Sequence, residues 1–367
     1  MPTSLEPAID PNNRITFLLD WELTMKCNLD CSYCEAGTYG GHDNSTRHPP
    51  LNDCLKSLDF MFAYVDQKMT TRPESLRYVV LNVYGGEALH HPNIVSILEQ
   101  VRQKHKQYAD RWQLTITTTT NAIVTKSKLD KIIPLIDEFT VSYHTESTDK
   151  QKQQFKNNVL AIQAAGVRVK CIVLMHTNSN CFNDGTDMIN WLKEHDVKHL
   201  PRQLDKPTNS KNQFYNNQQV KWFKKLYQSR SHNVDLDIDI NQGSMTAIGR
   251  SCCGGRQICT NQQYHQRLAF VENSFTNWYC SVDNFFLYVK QVTGEVFVNK
   301  DCKMNYNSEV GPIGNLSNVK ALLELKSSPI QCKKLQCFCG LCAPKAADLD
   351  TYNTIMRKYA VPNSNLL

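Results

Sequence analysis

The chain has 367 residues, of which 41% are hydrophobic and 21% charged, a composition typical of ordinary soluble globular proteins. Its formal net charge of +6 is too small and too diffuse to indicate a nucleic-acid-binding protein. No segment approaches the ~20 apolar residues that span a bilayer, and the N-terminus lacks the basic start and apolar core of a secretory signal. We therefore expect a cytoplasmic protein without a membrane or nucleic-acid partner.

Fifteen cysteines in a chain without a secretory signal favour metal ligands over a disulfide framework. Six of them lie in residues 1–251 and nine in residues 252–342. This change in density predicts an N-terminal extension over 1–14, an α/β domain over 15–245 and a cysteine-rich domain over 246–367. Cys54, Cys171 and Cys181 stand singly, and we expect packing roles for Cys54 and Cys171.

The α/β domain alternates strand-like and helix-like segments, as in βαβ units with a parallel sheet. Strands are predicted at Ile15–Leu23, Tyr78–Tyr84, Leu114–Thr119, Glu138–Tyr143, Val167–Met175 and Leu200–Leu204. Helices are predicted at Leu51–Lys68, Asn93–Tyr108, Lys150–Ala165 and Gln213–Ser229. A last strand is predicted at Val234–Ile240, and a hairpin at Phe286–Val289 and Val296–Val298 around Gly294. Five or six repeats favour a partial barrel over a short open sheet.

Three cysteines follow the first predicted strand in the order C-x3-C-x2-C: Cys27, Cys31 and Cys34. A structural zinc site or a complete [4Fe–4S] site needs four protein ligands. Three thiolates in one loop therefore indicate a cluster with one iron open to a small chelating ligand. The alternative is a zinc site with a distant fourth ligand such as His42.

Gly85, Gly86 and Glu87 follow the second predicted strand. Two glycines allow the backbone to approach a ligand closely, and their N–H and C=O groups can bind polar termini. The Glu87 carboxylate could hold an ammonium group. Loops at the carboxyl ends of parallel strands are where α/β barrels place their active sites, so this motif and the cysteines are expected to meet.

Together these motifs resemble the radical S-adenosylmethionine (radical SAM) superfamily. All three cysteine positions match, Tyr33 fills the aromatic position that helps to hold the adenine, and Gly85–Glu87 match the Gly-Gly-Glu-Pro motif, with Ala88 in place of proline. The resemblance implies a partial (β/α)6 TIM-like barrel with S-adenosylmethionine on a [4Fe–4S] cluster. It also implies cofactor contacts at Asn121, which precedes Ala122 at a glycine position, at Ser142, and near Val173–Asn178.

The C-terminal cysteines resemble the auxiliary-cluster domains, called SPASM and twitch, of radical SAM enzymes. The resemblance implies one or two auxiliary [4Fe–4S] clusters with ligands drawn from Cys253, Cys259, Cys280, Cys302, Cys332, Cys337, Cys339 and Cys342. Their spacing departs from the usual pattern, because Gly294 to Cys302 is longer and no cysteine follows Cys342. The partition between clusters stays open, and a zinc-ribbon-like domain is the alternative.

The resemblance implies an enzyme of oxidoreductase or maturase type that cleaves S-adenosylmethionine to a 5′-deoxyadenosyl radical for hydrogen abstraction. Its first expected substrate is a peptide or protein, which is crosslinked, epimerised or oxidised. The short stretch before the first strand weakens this expectation, because many peptide-modifying relatives carry a recognition domain there. A small molecule is the second expectation, and a non-catalytic metal-binding module is the third. A flavodoxin or ferredoxin is the implied electron donor.

Overall fold

The computed structural model describes residues 4–5, 16–34, 43, 45–204, 215–230, 275–300, 302–333, 343 and 345–358. Its strands are β1 Ser4–Leu5, β2 Thr16–Thr24, β3 Tyr78–Gly85, β4 Gln113–Thr120, β5 Glu138–His144, β6 Arg168–Met175, β7 Lys198–Gln203, β8 Tyr279–Cys280, β9 Phe286–Lys290, β10 Glu295–Phe297, β11 Gly314–Asn315, β12 Ile330–Gln331 and β13 Lys345–Ala346. Its α-helices are α1 Leu51–Thr70, α2 Ile94–His105, α3 Lys126–Ile132, α4 Asp149–Ala164, α5 Ser179–Glu194, α6 Asn217–Arg230, α7 Val319–Glu324 and α8 Leu349–Lys358. The predicted strand Val234–Ile240 and the 245/246 domain boundary lie outside the described residues.

Strands β2 to β7 form a parallel sheet in chain order, and α1 to α5 lie in the connections between them. Each strand pairs in parallel with the next, from Thr16 beside Tyr78 to Met175 beside Gln203. Consecutive strand–helix repeats of this kind place every strand's carboxyl end at one edge of the sheet. The predicted α/β class with a (β/α)6 arrangement is confirmed, and the predicted strands correspond to β2 to β7.

The two faces of this sheet differ in polarity because side chains alternate along a strand. In β2, Phe17, Leu19 and Trp21 are buried in the core formed with the helices. Asp20 lies on the other face, called the inner face below, where its Oδ1 accepts from Asn82 Nδ2 of β3 at 2.9 Å. The inner face therefore offers polar groups just below the edge where the strands end.

The C-terminal segment extends the same sheet. Strand β9 pairs in parallel with β2, and β10 and β11 continue outward as antiparallel neighbours. The predicted hairpin is confirmed, with Val296 beside Val289 and Gly294 in a left-handed turn at φ 71°. Among the described strands, β1, β13, β8 and β12 form a second, antiparallel sheet in that order.

A buried ionic group joins the end of α1 to the segment before β9. Asp283 is fully buried, with its Oδ2 3.6 Å from Lys68 Nζ. Arg72 is 4% exposed and donates from Nη2 to the Asn284 carbonyl. Burial lowers the pKa of Arg72 to about 9, and the Asp283 carboxylate acts in the opposite direction. The paired charges fix the C-terminal segment against the barrel.

Candidate functional site

The cysteine loop begins directly after β2. Burial raises the pKa of the Cys31 thiol to about 12, and the neighbouring Cys27 and Cys34 act in the same direction, as close thiols must. The Cys34 amide donates to the Cys31 carbonyl at 3.0 Å, which closes the last turn of the loop. The structure thus brings the three predicted ligands together on one loop, and the raised pKa of Cys27 and Cys31 keeps these two thiols neutral until a metal ion ionises them.

Gly85 and Gly86 lie directly against this loop. The Gly86 amide donates to the Thr24 carbonyl and the Glu87 amide to the Lys26 carbonyl, both at 2.8 Å. A Cβ at Gly85 would lie 2.1 Å from Thr24 O, and one at Gly86 would lie 2.5 Å from both Met25 O and Lys26 O. Only glycine allows this approach. The two motifs therefore form one unit, as the sequence predicts.

The Glu87 carboxylate points into the protein interior and not towards solvent. Glu87 is 1% exposed, and its Oε1 accepts from Leu89 N at 2.9 Å and from Thr120 Oγ1 at 2.7 Å. Its Oε2 accepts from Asn121 N at 2.6 Å. Burial raises the pKa of Glu87, while these hydrogen bonds act against that shift. Glu87 fixes the end of β4, and its contact with an ammonium group stays a prediction.

Asn121 connects the end of β4 to the cysteine loop. Its Nδ2 donates to Asn28 Oδ1 at 2.7 Å and lies 3.9 Å from Cys27 Sγ. Asn28 Nδ2 in turn donates to the Ile123 carbonyl at 2.8 Å. Ala122 has φ 55°, a left-handed conformation that glycine adopts more easily, which accounts for glycine at this position in the family that the sequence resembles.

The end of β5 holds the other side of the loop. Tyr33 Oη lies 2.7 Å from His144 Nδ1, and the Tyr33 and His144 rings are stacked at 6.1 Å between centroids. Glu146 accepts from Ser32 N at 2.7 Å and from Ser32 Oγ at 2.6 Å. Burial lowers the pKa of His144 to about 4, so the imidazole is neutral at pH 7. Ser142, the predicted ribose contact, lies half-buried on the inner face two residues before His144.

Unsatisfied polar atoms lie at the ends of β6 and β7. Within the described part of the chain, His176 Nε2, Thr177 Oγ1 and Gln203 Nε2 are buried and have no hydrogen-bond partner. His176 Nδ1 accepts from Asn178 N at 2.8 Å, so Nε2 carries the ring proton, 3.4 Å from Glu146 Oε1. Buried donors and acceptors without partners are rare in native proteins and are often completed by a ligand. The sequence predicts a cofactor contact near the end of β6 but gives no signal for Gln203.

A second group of cysteines lies in the C-terminal sheet. Cys280, Cys302 and Cys332 line one narrow cavity, and Lys345 lines it as well. The lysine is 2% exposed, and its Nζ donates to the Ala343 carbonyl at 3.0 Å. The remaining predicted ligands lie outside the described residues: Cys253, Cys259, Cys337, Cys339 and Cys342. The structure brings the three described members together.

The isolated cysteines behave as packing residues where they are buried. Cys54 and Cys171 are fully buried in the main core, and Cys181 is half-buried on α5. No three His, Cys, Asp or Glu side chains in the described ranges are arranged to hold a single metal ion. No α-helix within those ranges is long and apolar enough to cross a membrane.

Solved structures similar to this chain include native anSMEcpe with bound AdoMet, which is 13% identical. That match covers 84% of this chain and 80% of that chain, with a TM-score of 0.48. A structure of the same protein with AdoMet and the Cp18Cys peptide is 12% identical over 85% of this chain and 80% of that chain, also with a TM-score of 0.48. No protein-family model and no curated protein matches the sequence. A similarity this distant carries no conclusion about activity or substrate.

Proposed function

We propose that the protein is a radical SAM enzyme in which Cys27, Cys31 and Cys34 hold a [4Fe–4S] cluster. One observation carries the proposal: the cysteine loop lies against Gly85 and Gly86 so closely that no Cβ fits between them. This packing fixes the glycine segment beside the cysteine loop, where a ligand on the open iron would lie. When bound, the cluster supplies the electron that cleaves S-adenosylmethionine to methionine and a 5′-deoxyadenosyl radical.

The residues present fit both groups. Three thiols on one loop suit a cluster with one open iron, and the iron would ionise Cys27 and Cys31 although burial raises the pKa of both thiols. Thr177 Oγ1 and Gln203 Nε2 are buried polar atoms without hydrogen-bond partners, and the hydroxyls and ring nitrogens of an adenosyl group would supply such partners. His176 Nε2, which has the Glu146 carboxylate 3.4 Å away, lies beside them. The gap between loop and strand ends is therefore the proposed cofactor site.

The chain's own residues would then bind and orient. The backbone of Gly85 and Gly86 would hold the methionine end, and Tyr33 and Ser142 would contact the nucleoside. Asn121 keeps Asn28 and the Cys27 side of the loop in place through its 2.7 Å hydrogen bond. Glu87 acts through Thr120 and Asn121, so its role in this proposal is to position the β4 end.

Auxiliary [4Fe–4S] clusters form the second part of the proposal. Cys280, Cys302 and Cys332 would be ligands of one of them, together with a cysteine from outside the described residues. Lys345 lines the same cavity as these thiols, and its Nζ donates to the Ala343 carbonyl at 3.0 Å. Such clusters would transfer electrons or bind substrate, and the enzyme's external electron donor would be a flavodoxin or ferredoxin.

A peptide or protein is the proposed substrate, which the enzyme would crosslink, epimerise or oxidise. This choice rests on the C-terminal cysteine order, which resembles that of peptide-modifying enzymes. A small molecule such as a sugar, nucleoside or amino acid is the second candidate. The polar inner face around Asp20 and Asn82 lies below the proposed cofactor site and would accept either class.

The test is anaerobic reconstitution of the full chain, followed by metal analysis and measurement of 5′-deoxyadenosine after reduction with S-adenosylmethionine. We expect iron and sulfide at about eight or about twelve atoms per chain, for two or three clusters. Cys31→Ala is expected to abolish 5′-deoxyadenosine, whereas the matched control Cys171→Ala removes a buried core thiol and is expected to retain it. Zinc without iron would instead support a non-catalytic metal-binding module.

A further inference from the structure

His144 is the residue of β5 that reaches a proposed cluster ligand directly. Its Nδ1 lies 3.3 Å from Cys31 Sγ, within hydrogen-bond distance for sulfur, and 2.7 Å from Tyr33 Oη. The Tyr33 ring lies nearly parallel to the imidazole, with an interplanar angle of 2°. One nitrogen atom therefore faces two groups of the cysteine loop.

The contact is built into the fold at two further points. Glu146, two residues after His144, accepts hydrogen bonds from both the amide and the hydroxyl of Ser32, the residue after Cys31. The backbone on both sides of the contact is thereby held in register. His144 itself ends a strand that is paired on both sides, with β4 and β6. These contacts fix the position of the imidazole relative to the cysteine loop.

The chemistry of a ligated cysteine decides which atom donates. A thiolate on iron has no proton and can only accept hydrogen bonds. If Nδ1 carried a lone pair, that lone pair would face a lone pair of the sulfur. Tyr33 O–H would then donate to Nδ1 instead of to the sulfur. If Nδ1 carries the proton, N–H points towards the sulfur and Tyr33 O–H is free to donate to the same atom. The second tautomer satisfies all three groups.

We propose that His144 is a positioning residue that donates a hydrogen bond from Nδ1 to the Cys31 sulfur and thereby raises the reduction potential of the cluster. The proposal rests on the proposed function, because it assumes a cluster on Cys31. Adding an electron increases the negative charge on the ligand sulfurs, and a hydrogen bond to sulfur stabilises the more negative state. His144 would make the cluster easier to reduce without touching substrate.

The experiment compares reduction potentials of the full, anaerobically reconstituted protein with His144→Leu, His144→Asn and the distant control His105→Gln on α2. The cluster is identified as the one whose electron paramagnetic resonance signal changes when S-adenosylmethionine is added. Loss of a charge-assisted hydrogen bond is expected to lower the equilibrium constant for reduction about tenfold in His144→Leu, equivalent to a potential about 59 mV more negative. His144→Asn carries an N–H at the same bond separation and is expected to recover most of this change, and the control none of it.

A potential in His144→Leu equal to wild type, or one in His144→Asn as low as in His144→Leu, would overturn the proposal. If His144→Leu does not bind iron, pulsed spectroscopy of the reduced wild-type cluster with ¹⁵N-labelled histidine decides. Coupling to a histidine nitrogen is expected, and its absence refutes the hydrogen bond. These outcomes differ from a failure of the proposed function, in which wild type itself lacks the cluster or does not cleave S-adenosylmethionine.

Discussion

Gly86→Ala tests the docking of the glycine segment on the cysteine loop. The added Cβ would lie 2.5 Å from Met25 O and Lys26 O and 2.7 Å from Lys26 C, all backbone atoms that no side-chain rotation can remove. The end of β3 must move by roughly 1 Å to restore ordinary contact, which breaks the Gly86–Thr24 and Glu87–Lys26 hydrogen bonds. Two such bonds and the overpacking together cost about 3 kcal/mol.

The matched control is Gly166→Ala, because a Cβ there has nothing within 4 Å and meets only the strain of φ 73°. That strain costs about 1 kcal/mol. Thermal and urea denaturation of the metal-free proteins should place Gly86→Ala clearly below Gly166→Ala, and iron content after reconstitution should fall only in Gly86→Ala. Equal stability of the two variants would show that the close approach is not part of the native fold.

Three further predictions concern buried groups. The Glu87 carboxylate accepts three hydrogen bonds, and in Glu87→Gln the NH₂ group of the amide would point at one of these donors. This variant should lower the free energy of unfolding by about 3 kcal/mol in chemical denaturation. Asp283→Asn leaves Lys68 and Arg72 without their buried counter-charge and should cost at least about 3 kcal/mol in the same assay. Burial and the neighbouring imidazoles lower the pKa of His48 from 6.5 to about 4. The unfolded chain therefore binds a proton at His48 before the native chain does, and stability falls as the pH drops from 6.5 to 4. His48→Gln should reduce this dependence of stability on pH.

Each of these predictions has an outcome that contradicts it. A Glu87→Gln protein as stable as wild type would mean that Thr120 and Asn121 do not depend on the carboxylate. An Asp283→Asn protein with unchanged stability would remove the ionic link between α1 and the C-terminal segment. An identical pH profile in His48→Gln would mean that His48 is not held as a neutral ring in the native protein.

The sequence was sufficient for features that depend on neighbours along the chain. Apolar runs separated by helical stretches predicted β2 to β7, and motifs at strand ends predicted that Cys27–Cys34 and Gly85–Glu87 would meet, because parallel strands share one carboxyl edge. Side-chain partners were beyond it. Two of the three hydrogen bonds of Glu87 go to residues 33 and 34 positions away, and His144 meets Cys31 across 113 positions. Such contacts depend on how neighbouring strand ends pack, which no local pattern records.

The pairing of β9 with β2 could not be predicted from the sequence either. It places a strand of the predicted cysteine-rich domain inside the sheet of the α/β domain, beside the strand that leads to Cys27. Tyr288 Oη donates to Glu22 Oε2 at 2.6 Å across 266 positions. A change in cysteine density along the sequence indicates a change in composition, but strands far apart in the sequence can still pair in one sheet, as β2 and β9 do.

That pairing also has a consequence for biosynthesis. One edge of β2 stays without its neighbour until residues 286–290 have left the ribosome, because β9 is the strand that covers it. At ordinary rates of translation this interval is roughly 15 to 50 seconds. During that time the strand that carries the cysteine loop is an open edge, of the kind that promotes aggregation. The last third of the chain therefore protects the first strand of the barrel, and loss of late residues should harm folding of the earliest ones.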